Sequence, residues 1–145
     1  LKPFKAIPSL YLHIDGVQSP GKIRNWRDLN VGDMFSFSAH KFGAMKGVGF
    51  SFFTKQMKYF PLLTGGGQQR DLRSGTENVM GVYSVKLAME DLLKVDIENT
   101  YKLKCELKSF LKEELKDLGG VLDVAPSNSN TIYFYLNNLK VLVHF

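Results

Sequence analysis

Residues 36–50 read SFSAHKFGAMKGVGF, and they begin inside a short continuous apolar run, residues 34–37. A run of this kind is typical of a strand that is buried on both faces. It ends in a polar cluster, residues 38–41, which contains a serine, a histidine and a lysine. The next apolar run, residues 47–53, begins too few residues later for a parallel return, so we predict that these two strands pair antiparallel.

A third strand is predicted upstream of this stretch. Residues 9–15, SLYLHID, are rich in strand-forming side chains and stop at a turn-rich segment, GVQSPG. Residues 16–33 are enough for a crossover connection, so this strand should pair parallel with residues 34–37. The carboxyl ends of the two strands, Asp15 and the cluster 38–41, would then lie at one edge of the sheet, where open α/β sheets bind ligands.

The second half of the sequence predicts helices followed by short strands. Apolar residues recur at helical spacing between about residues 77 and 118, with a break near residues 95–96 that indicates two helices. The glycine pair 119–120 is expected to end the second helix. Strands of a second layer are expected at residues 121–124 and 131–136.

Composition limits the class of protein. The chain has 145 residues, 44% of them apolar, which is enough for a globular domain with a core. Its net charge of +5 comes largely from lysines interleaved with glutamates in the helical half, the pattern of a solvated helix face, so we predict no nucleic-acid partner. No apolar stretch approaches the roughly 20 residues that a membrane span needs, and no secretory pattern is visible, so we predict no membrane association.

The cysteine content and the chain ends lead to two further expectations. A single cysteine, Cys105, cannot form an internal disulfide, which favours the reducing cytoplasm. Because Cys105 is spaced to share a helix face with Ile97 and Tyr101, we expect a buried, inert thiol. The sequence starts at Leu1 and ends in an apolar run, residues 141–143, so we expect a central fragment of a longer protein.

The polar cluster at the sheet edge suits one kind of cofactor. A lysine beside a hydroxyl and an imidazole can form a Schiff base with an aldehyde that also carries a phosphate. Lys41 would bind the aldehyde, and Ser38 and His40 would donate to the phosphate. Asp15 would keep a pyridine nitrogen protonated, and Gln18 could donate to the ring hydroxyl oxygen. From the residues alone an alternative stays open, in which the cluster is an ordinary polar strand exit and Asp15 caps a turn.

Three sequence segments, in this order along the chain, resemble those of a known family: HIDGVQSPGK, FSFSAHKFGAMKGVGF and GGGQQRDLRSGTENV. With them the chain resembles the cysteine desulfurases, pyridoxal-phosphate enzymes of the class V aminotransferase superfamily with fold type I. The resemblance implies an α/β fold in which residues 1–95 form the later part of the large cofactor domain, with a mixed, mostly parallel sheet. Residues 96–145 would form a connecting helix and the start of a small α+β domain.

The resemblance also implies an activity and its residues. The enzyme would convert cysteine to alanine and pass the sulfur to an enzyme cysteine as a persulfide, with a sulfur-acceptor protein as a possible partner. Lys41 would be the Schiff-base lysine and would move protons at the substrate alpha carbon. Thr76 would reach the phosphate of the other subunit, because these enzymes are homodimers with shared active sites. The side chains that would bind pyridoxal phosphate within one subunit are Asp15, Gln18, Ser38, His40 and Lys41.

Alternatives and departures accompany the resemblance. Another class V activity, such as a selenocysteine lyase or an aminotransferase, and a non-catalytic folded fragment are the alternatives. Residues 42–45 lack the glycine-proline pair that the family often has there, so the local turn is expected to differ. Lys46 is a rival for the covalent role, but it has no adjacent serine and histidine. The family places its ring-stacking side chain and first phosphate loop before Leu1, and its persulfide cysteine and carboxylate-binding arginine after Phe145.

A glycine cluster, residues 65–67, needs its own interpretation. It is not followed by Gly-Lys-Ser/Thr and does not open directly onto a helix, so it is not a nucleotide-binding loop. A flexible loop is the expectation. Arg70 and Arg73 beside it could steer anions, pair with carboxylates across a subunit boundary, or simply be solvated.

Overall fold

A computed structural model describes residues 7, 10–27, 32–54, 59–122 and 130–137. The chain forms two compact units. The first consists of the described residues within Leu1–Pro20 and Trp26–Val95, and the second of those within Gly21–Asn25 and Asp96–Phe145. Whether these units are parts of a large and a small domain with boundaries at 1–95 and 96–145 stays a prediction.

A three-stranded mixed sheet organises the first unit. Its strands are β1 (His13–Asp15), β2 (Met34–Ser38) and β3 (Gly49–Phe53), in the order β1-β2-β3. β1 pairs parallel with β2, and β3 pairs antiparallel with β2, so both predicted pairing directions are confirmed. β1 is shorter than the predicted strand at residues 9–15, of which residue 9 lies outside the described part. The described sheet has one parallel and one antiparallel pair of strands. It is therefore mixed, as predicted, but not mostly parallel.

The two faces of this sheet differ in character because side chains alternate along each strand. Phe35 and Phe37 of β2 are buried, with 6% and 7% of their surface exposed. They share one face with Phe50 and Phe52 of β3, which are their partners in the antiparallel register. The Phe37 and Phe50 ring centroids lie 5.1 Å apart. The opposite face of β2 is only half-buried, so the prediction that residues 34–37 are buried on both faces is wrong.

Two helical elements lie beside the sheet, and the first of them carries His40 and Lys41. A 3-10 helix, Ala39–Phe42, continues directly from β2. Helix α1 (Val79–Leu92) packs near this turn, and its buried residues Gly81, Ala88 and Leu92 recur at helical spacing. The helix begins at Asn78, whose side chain accepts a hydrogen bond from the Gly81 N–H at 2.9 Å, a common N-terminal cap.

The second unit consists of helix α2 (Ile97–Glu114) and a two-stranded antiparallel sheet, β4 (Gly119–Leu122) and β5 (Tyr133–Leu136). The predicted break between two helices is confirmed, since α1 ends at Leu92 and α2 begins at Ile97. β5 lies within the strand predicted at residues 131–136, whereas β4 begins two residues before the strand predicted at residues 121–124, of which residues 123 and 124 lie outside the described part.

The predicted role of the glycine pair 119–120 is wrong. α2 already ends at Glu114, a turn follows, and both glycines lie in β4. A Cβ atom on Gly119 would overlap the carbonyl oxygen of Tyr135 on the neighbouring strand. A glycine is therefore required here by the close approach of two strands rather than by a helix end.

The predicted burial of Cys105 is also wrong. Its side chain is exposed, while Ile97 and Tyr101 on the same helix are half-buried. α2 contains no buried residue, so helical spacing alone did not identify a buried face. None of the helices in the described part of the chain is both long enough and apolar enough to span a bilayer.

Candidate functional site

The parallel pairing of β1 and β2 brings the expected site residues to one edge of the sheet. Asp15 is the last residue of β1 and pairs in register with Ser36. The Gly16 N–H then donates to the Ser36 carbonyl oxygen at 2.9 Å, which continues the strand pairing beyond Asp15. Ser38, two residues further along β2, ends that strand at the same edge. The predicted juxtaposition of Asp15 with the cluster 38–41 is thus present in the strand register.

The Asp15 carboxylate is oriented by its own turn. Its Oδ1 atom accepts a hydrogen bond from the Val17 N–H at 3.0 Å, and the residue is exposed. This is the contact expected of an aspartate that caps a turn. An ionised carboxylate has about four lone-pair positions, so the same side chain can also accept from a protonated ring nitrogen.

Ser38 and His40 form a hydrogen-bonded pair. The Ser38 Oγ and His40 Nδ1 atoms lie 3.0 Å apart, and the direction of this bond depends on the imidazole tautomer. If Nδ1 donates, the serine hydroxyl keeps its proton for an anion; if the serine donates, Nε2 carries the ring proton instead. The neutral pair therefore offers one donor to an anion, and a protonated imidazole raises that number to two.

Backbone hydrogen bonds on either side of Lys41 hold the turn that carries it, although the Lys41 side chain itself is exposed. The preceding Ala39 is fully buried, and its N–H donates to the Val48 carbonyl oxygen at 3.1 Å. The Ala44 N–H donates back to the Ala39 carbonyl oxygen at 3.1 Å, and Gly43 adopts the left-handed conformation with φ 104°. Lys46 lies beyond this turn and is also exposed, so the choice between the two lysines stays a prediction.

Gln18 and Thr76 lie in exposed loop positions. Gln18 is in the turn three residues after Asp15, and Thr76 comes two residues before the Asn78 cap of α1. Their predicted contacts with the cofactor ring and with the phosphate of a second subunit both stay predictions.

The glycine-rich loop before Thr76 has internal hydrogen bonds. The Ser74 N–H donates to the Leu63 carbonyl oxygen at 3.0 Å, and the Ser74 hydroxyl donates to the Thr64 carbonyl oxygen at 2.9 Å. Residues 69–71 all have positive φ without being glycine, which is an uncommon backbone conformation. Arg73 donates to the neighbouring Ser74 carbonyl oxygen at 2.6 Å. The roles suggested for Arg70 and Arg73 stay predictions.

Sequence reasoning missed a polar chain that crosses all three strands. His13 Nε2 lies 2.9 Å from Ser36 Oγ, which lies 3.2 Å from Ser51 Oγ of β3. These side chains share the sheet face of Asp15, because the strand register places Asp15 opposite Ser36. The alternation of polar and apolar residues in HID and FSFS was the available signal. A second missed residue, Ser84 of α1, contacts the loop after Lys41.

The donor set fits pyridoxal phosphate by its chemistry. At this edge of the sheet, a carboxylate can pair with a protonated ring nitrogen and a hydroxyl-imidazole pair can donate to a phosphate. A primary amine can react with an aldehyde. Among the residues that the structure describes, no group of histidine, cysteine and acidic side chains is arranged to hold a metal ion.

Comparisons with known proteins identify the family. The sequence model of the family described as "Aminotransferase class-V" matches residues 3–142. The cysteine desulfurase IscS of Dictyoglomus turgidum is 35% identical over 143 residues, which cover 93% of this chain and 36% of that protein. The chain thus spans about a third of the length of the curated relatives that it matches.

Two solved structures are similar to this chain. A structure described as a NifS-like protein superposes with a TM-score of 0.78 and 36% identity, covering 93% of this chain and 37% of that one. A structure titled "SspA in complex with cysteine" superposes with a TM-score of 0.60 and 25% identity, covering 87% of this chain and 35% of that one.

Proposed function

Because the chain belongs to the aminotransferase class V family, we propose that it carries the pyridoxal-phosphate-binding part of a cysteine desulfurase. The observation that carries the proposal is the parallel β1–β2 register, which brings Asp15 to the edge where Ser38 ends β2 and where His40 and Lys41 follow. Cysteine desulfurase relatives that match most of this chain support the choice within the family.

Each residue then has a chemical task. Pyridoxal phosphate, when bound, withdraws electrons from the substrate alpha carbon. Lys41 would hold the cofactor aldehyde covalently, and once the substrate amine has displaced it there, its freed amine would remove the alpha proton. Asp15 accepts the ring N–H and keeps that nitrogen protonated. Ser38 and His40 donate to the phosphate, and Gln18 donates to the ring oxygen.

The activity of the whole protein extends beyond this chain. We infer that it converts cysteine to alanine and passes the sulfur to an enzyme cysteine, which supplies a persulfide for an acceptor protein. Relatives named cysteine desulfurase and the neighbour whose title includes cysteine support this substrate. A homodimer in which Thr76 reaches the second subunit's phosphate, and a cytoplasmic location, are further parts of the proposal.

The test is covalent labelling. The purified chain is mixed with pyridoxal phosphate, reduced with borohydride and mapped by peptide mass. We expect a single reduced adduct on Lys41 that Lys41→Ala removes, whereas Lys46→Ala, the matched control five residues away, keeps it. An adduct on Lys46, or equal labelling of many exposed lysines, would reject the assignment of the site.

A further inference from the structure

The backbone hydrogen bonds that close the turn after Lys41 reach as far as Ala44, whose N–H donates to the Ala39 carbonyl oxygen at 3.1 Å. Residues 42–46 contain no proline, and Gly43 lies in the left-handed region with φ 104°. The Gly43 N–H donates to the Ala39 carbonyl oxygen and also lies 3.5 Å from the His40 carbonyl oxygen. Beyond Gly43 and Ala44 the chain is exposed at Met45 and Lys46. The position of the end of this segment, at Met45 and Lys46, therefore depends on contacts with a neighbouring element.

Helix α1 provides such a contact through Ser84. The Met45 N–H donates to Ser84 Oγ at 3.1 Å, and the Ser84 hydroxyl donates to the Gly81 carbonyl oxygen at 2.7 Å. A serine hydroxyl has one proton and two lone pairs. The Ser84 hydroxyl donates its proton to the Gly81 carbonyl oxygen, so a lone pair of Ser84 Oγ is available to accept from the Met45 N–H. The serine can therefore make both hydrogen bonds at the same time.

The part of α1 that carries Ser84 is held in place by its own packing. Gly81 is buried, and its N–H is capped by the Asn78 side chain at 2.9 Å. Ala88 and Leu92, one and two turns beyond Ser84, are also buried. Ser84 therefore presents its oxygen to Met45 from a helix whose buried face fixes its position.

We propose that Ser84 is a positioning residue for Lys41: by accepting the Met45 N–H it holds the end of the lysine-bearing turn against α1. The inference rests on the proposed function, because it assigns a purpose to the placement of Lys41. A covalent attachment requires the amine and the aldehyde at bonding distance, and a displacement of about 1 Å can slow such a reaction strongly. The Ser84 contact reduces the freedom of a turn that no proline restrains.

Two measurements on the purified chain test this role. The first is amide hydrogen exchange of peptides that cover residues 40–46, without any cofactor. The second is the pyridoxal phosphate concentration that gives half of the maximal borohydride-reduced adduct on Lys41. In Ser84→Ala we expect exchange in this segment to become about five-fold faster, the factor that a lost net hydrogen bond of about 1 kcal/mol implies. The half-labelling concentration should rise by a similar factor.

Matched variants separate positioning from a general effect on helices. Ser84→Thr retains a hydroxyl and should restore both values. Ser109→Ala is the control, because Ser109 of α2 also donates to its own helix backbone, at 3.0 Å to the Cys105 carbonyl oxygen. It should leave residues 40–46 unchanged. Met45→Pro removes the N–H donor, so adding Ser84→Ala in that background should cause no further change in labelling.

The outcomes distinguish this inference from the proposed function. Labelling of the unmodified chain on Lys41 with unchanged exchange and labelling in Ser84→Ala would overturn the role of Ser84 alone. Faster exchange in Ser84→Ala with unchanged labelling would also overturn it, since Ser84 would then stabilise the turn without placing the lysine. An absence of any Lys41 adduct in the unmodified chain would reject the proposed function and the positioning role together.

Discussion

The two compact units of this chain are stabilised in different ways. In the first, Phe35, Phe37 and Ala39 are almost completely buried around a three-stranded sheet. In the second, α2 buries none of its residues, and β4 and β5 form a two-stranded sheet in which Phe134 is 52% exposed. Packing therefore determines side-chain positions in the first unit far more closely than in the second. All of the predicted site residues lie in the first unit.

Interactions along the second unit are largely polar and exposed. Lys102 and Glu106 of α2 form an i, i+4 ion pair at 4.0 Å, and Lys116 and Glu113 form an i, i+3 pair at 2.6 Å. Exposed ion pairs contribute little to stability because water and salt screen them. The comparison predicts that equivalent substitutions have larger effects in the first unit.

The largest expected effect is that of removing a buried ring. Phe37→Ala deletes a side chain that packs on Phe50 and Phe52, and we expect a loss of about 3–5 kcal/mol in the free energy of unfolding. The matched substitution in the second unit, Phe134→Ala, should cost about 0.5 kcal/mol. Urea unfolding followed by circular dichroism measures both, and equal losses would contradict the proposed difference between the units.

An intermediate effect is expected where two strands approach closely. A Cβ atom on Gly49 would lie 2.5 Å from the Phe37 carbonyl oxygen, so Gly49→Ala must displace backbone and should cost about 1–3 kcal/mol. Gly47→Ala is the control, because nothing lies within 4 Å of its Cβ and its cost arises from φ 81° alone. A larger cost for Gly47→Ala in the same unfolding measurement would mean that backbone conformation, not packing, limits this sheet.

The smallest expected effect concerns an ion pair of the second unit. Arg24 donates to both Glu98 carboxylate oxygens at 2.8 and 2.7 Å, and its guanidinium lies 4.8 Å from the centroid of the Tyr101 ring. Arg24→Ala should speed amide exchange in α2 slightly at low salt and hardly at high salt. Arg24→Lys should recover little, because an ammonium cannot donate bidentately. An effect independent of salt would point to packing on Tyr101 instead.

The contacts of Arg24 with Glu98 also determine how the contribution of this ion pair to stability depends on pH. The hydrogen bond and charge of Glu98 raise the pKa of Arg24 above its ordinary value. Because the pKa of Arg24 is higher in the folded than in the unfolded chain, the stabilisation is complete at a pH below the unfolded-state pKa. It is lost only as the pH rises through the folded-state pKa. Arg24 should therefore contribute equally at neutral and mildly alkaline pH.

Much of the candidate site could be predicted from local sequence. The lengths of the connections implied that β1 and β2 pair parallel and that β3 returns antiparallel, and both pairings are present. Asp15 and Ser38 consequently lie at one edge, as predicted. Ser84 could not be found in this way, because it lies on a helix far along the chain and its contact with Met45 depends on how α1 packs.

By itself the sequence determined the order and type of the elements and the edge at which the polar residues cluster. Those properties depend on side-chain alternation, helical spacing and connection length, which are all local. Only the tertiary structure decided that Cys105 is exposed, that Gly119 is a strand residue and that Ser84 holds the turn after Lys41. Each of these depends on which surface lies opposite a residue, and the periodicity of one segment contains no information about the segment that packs against it.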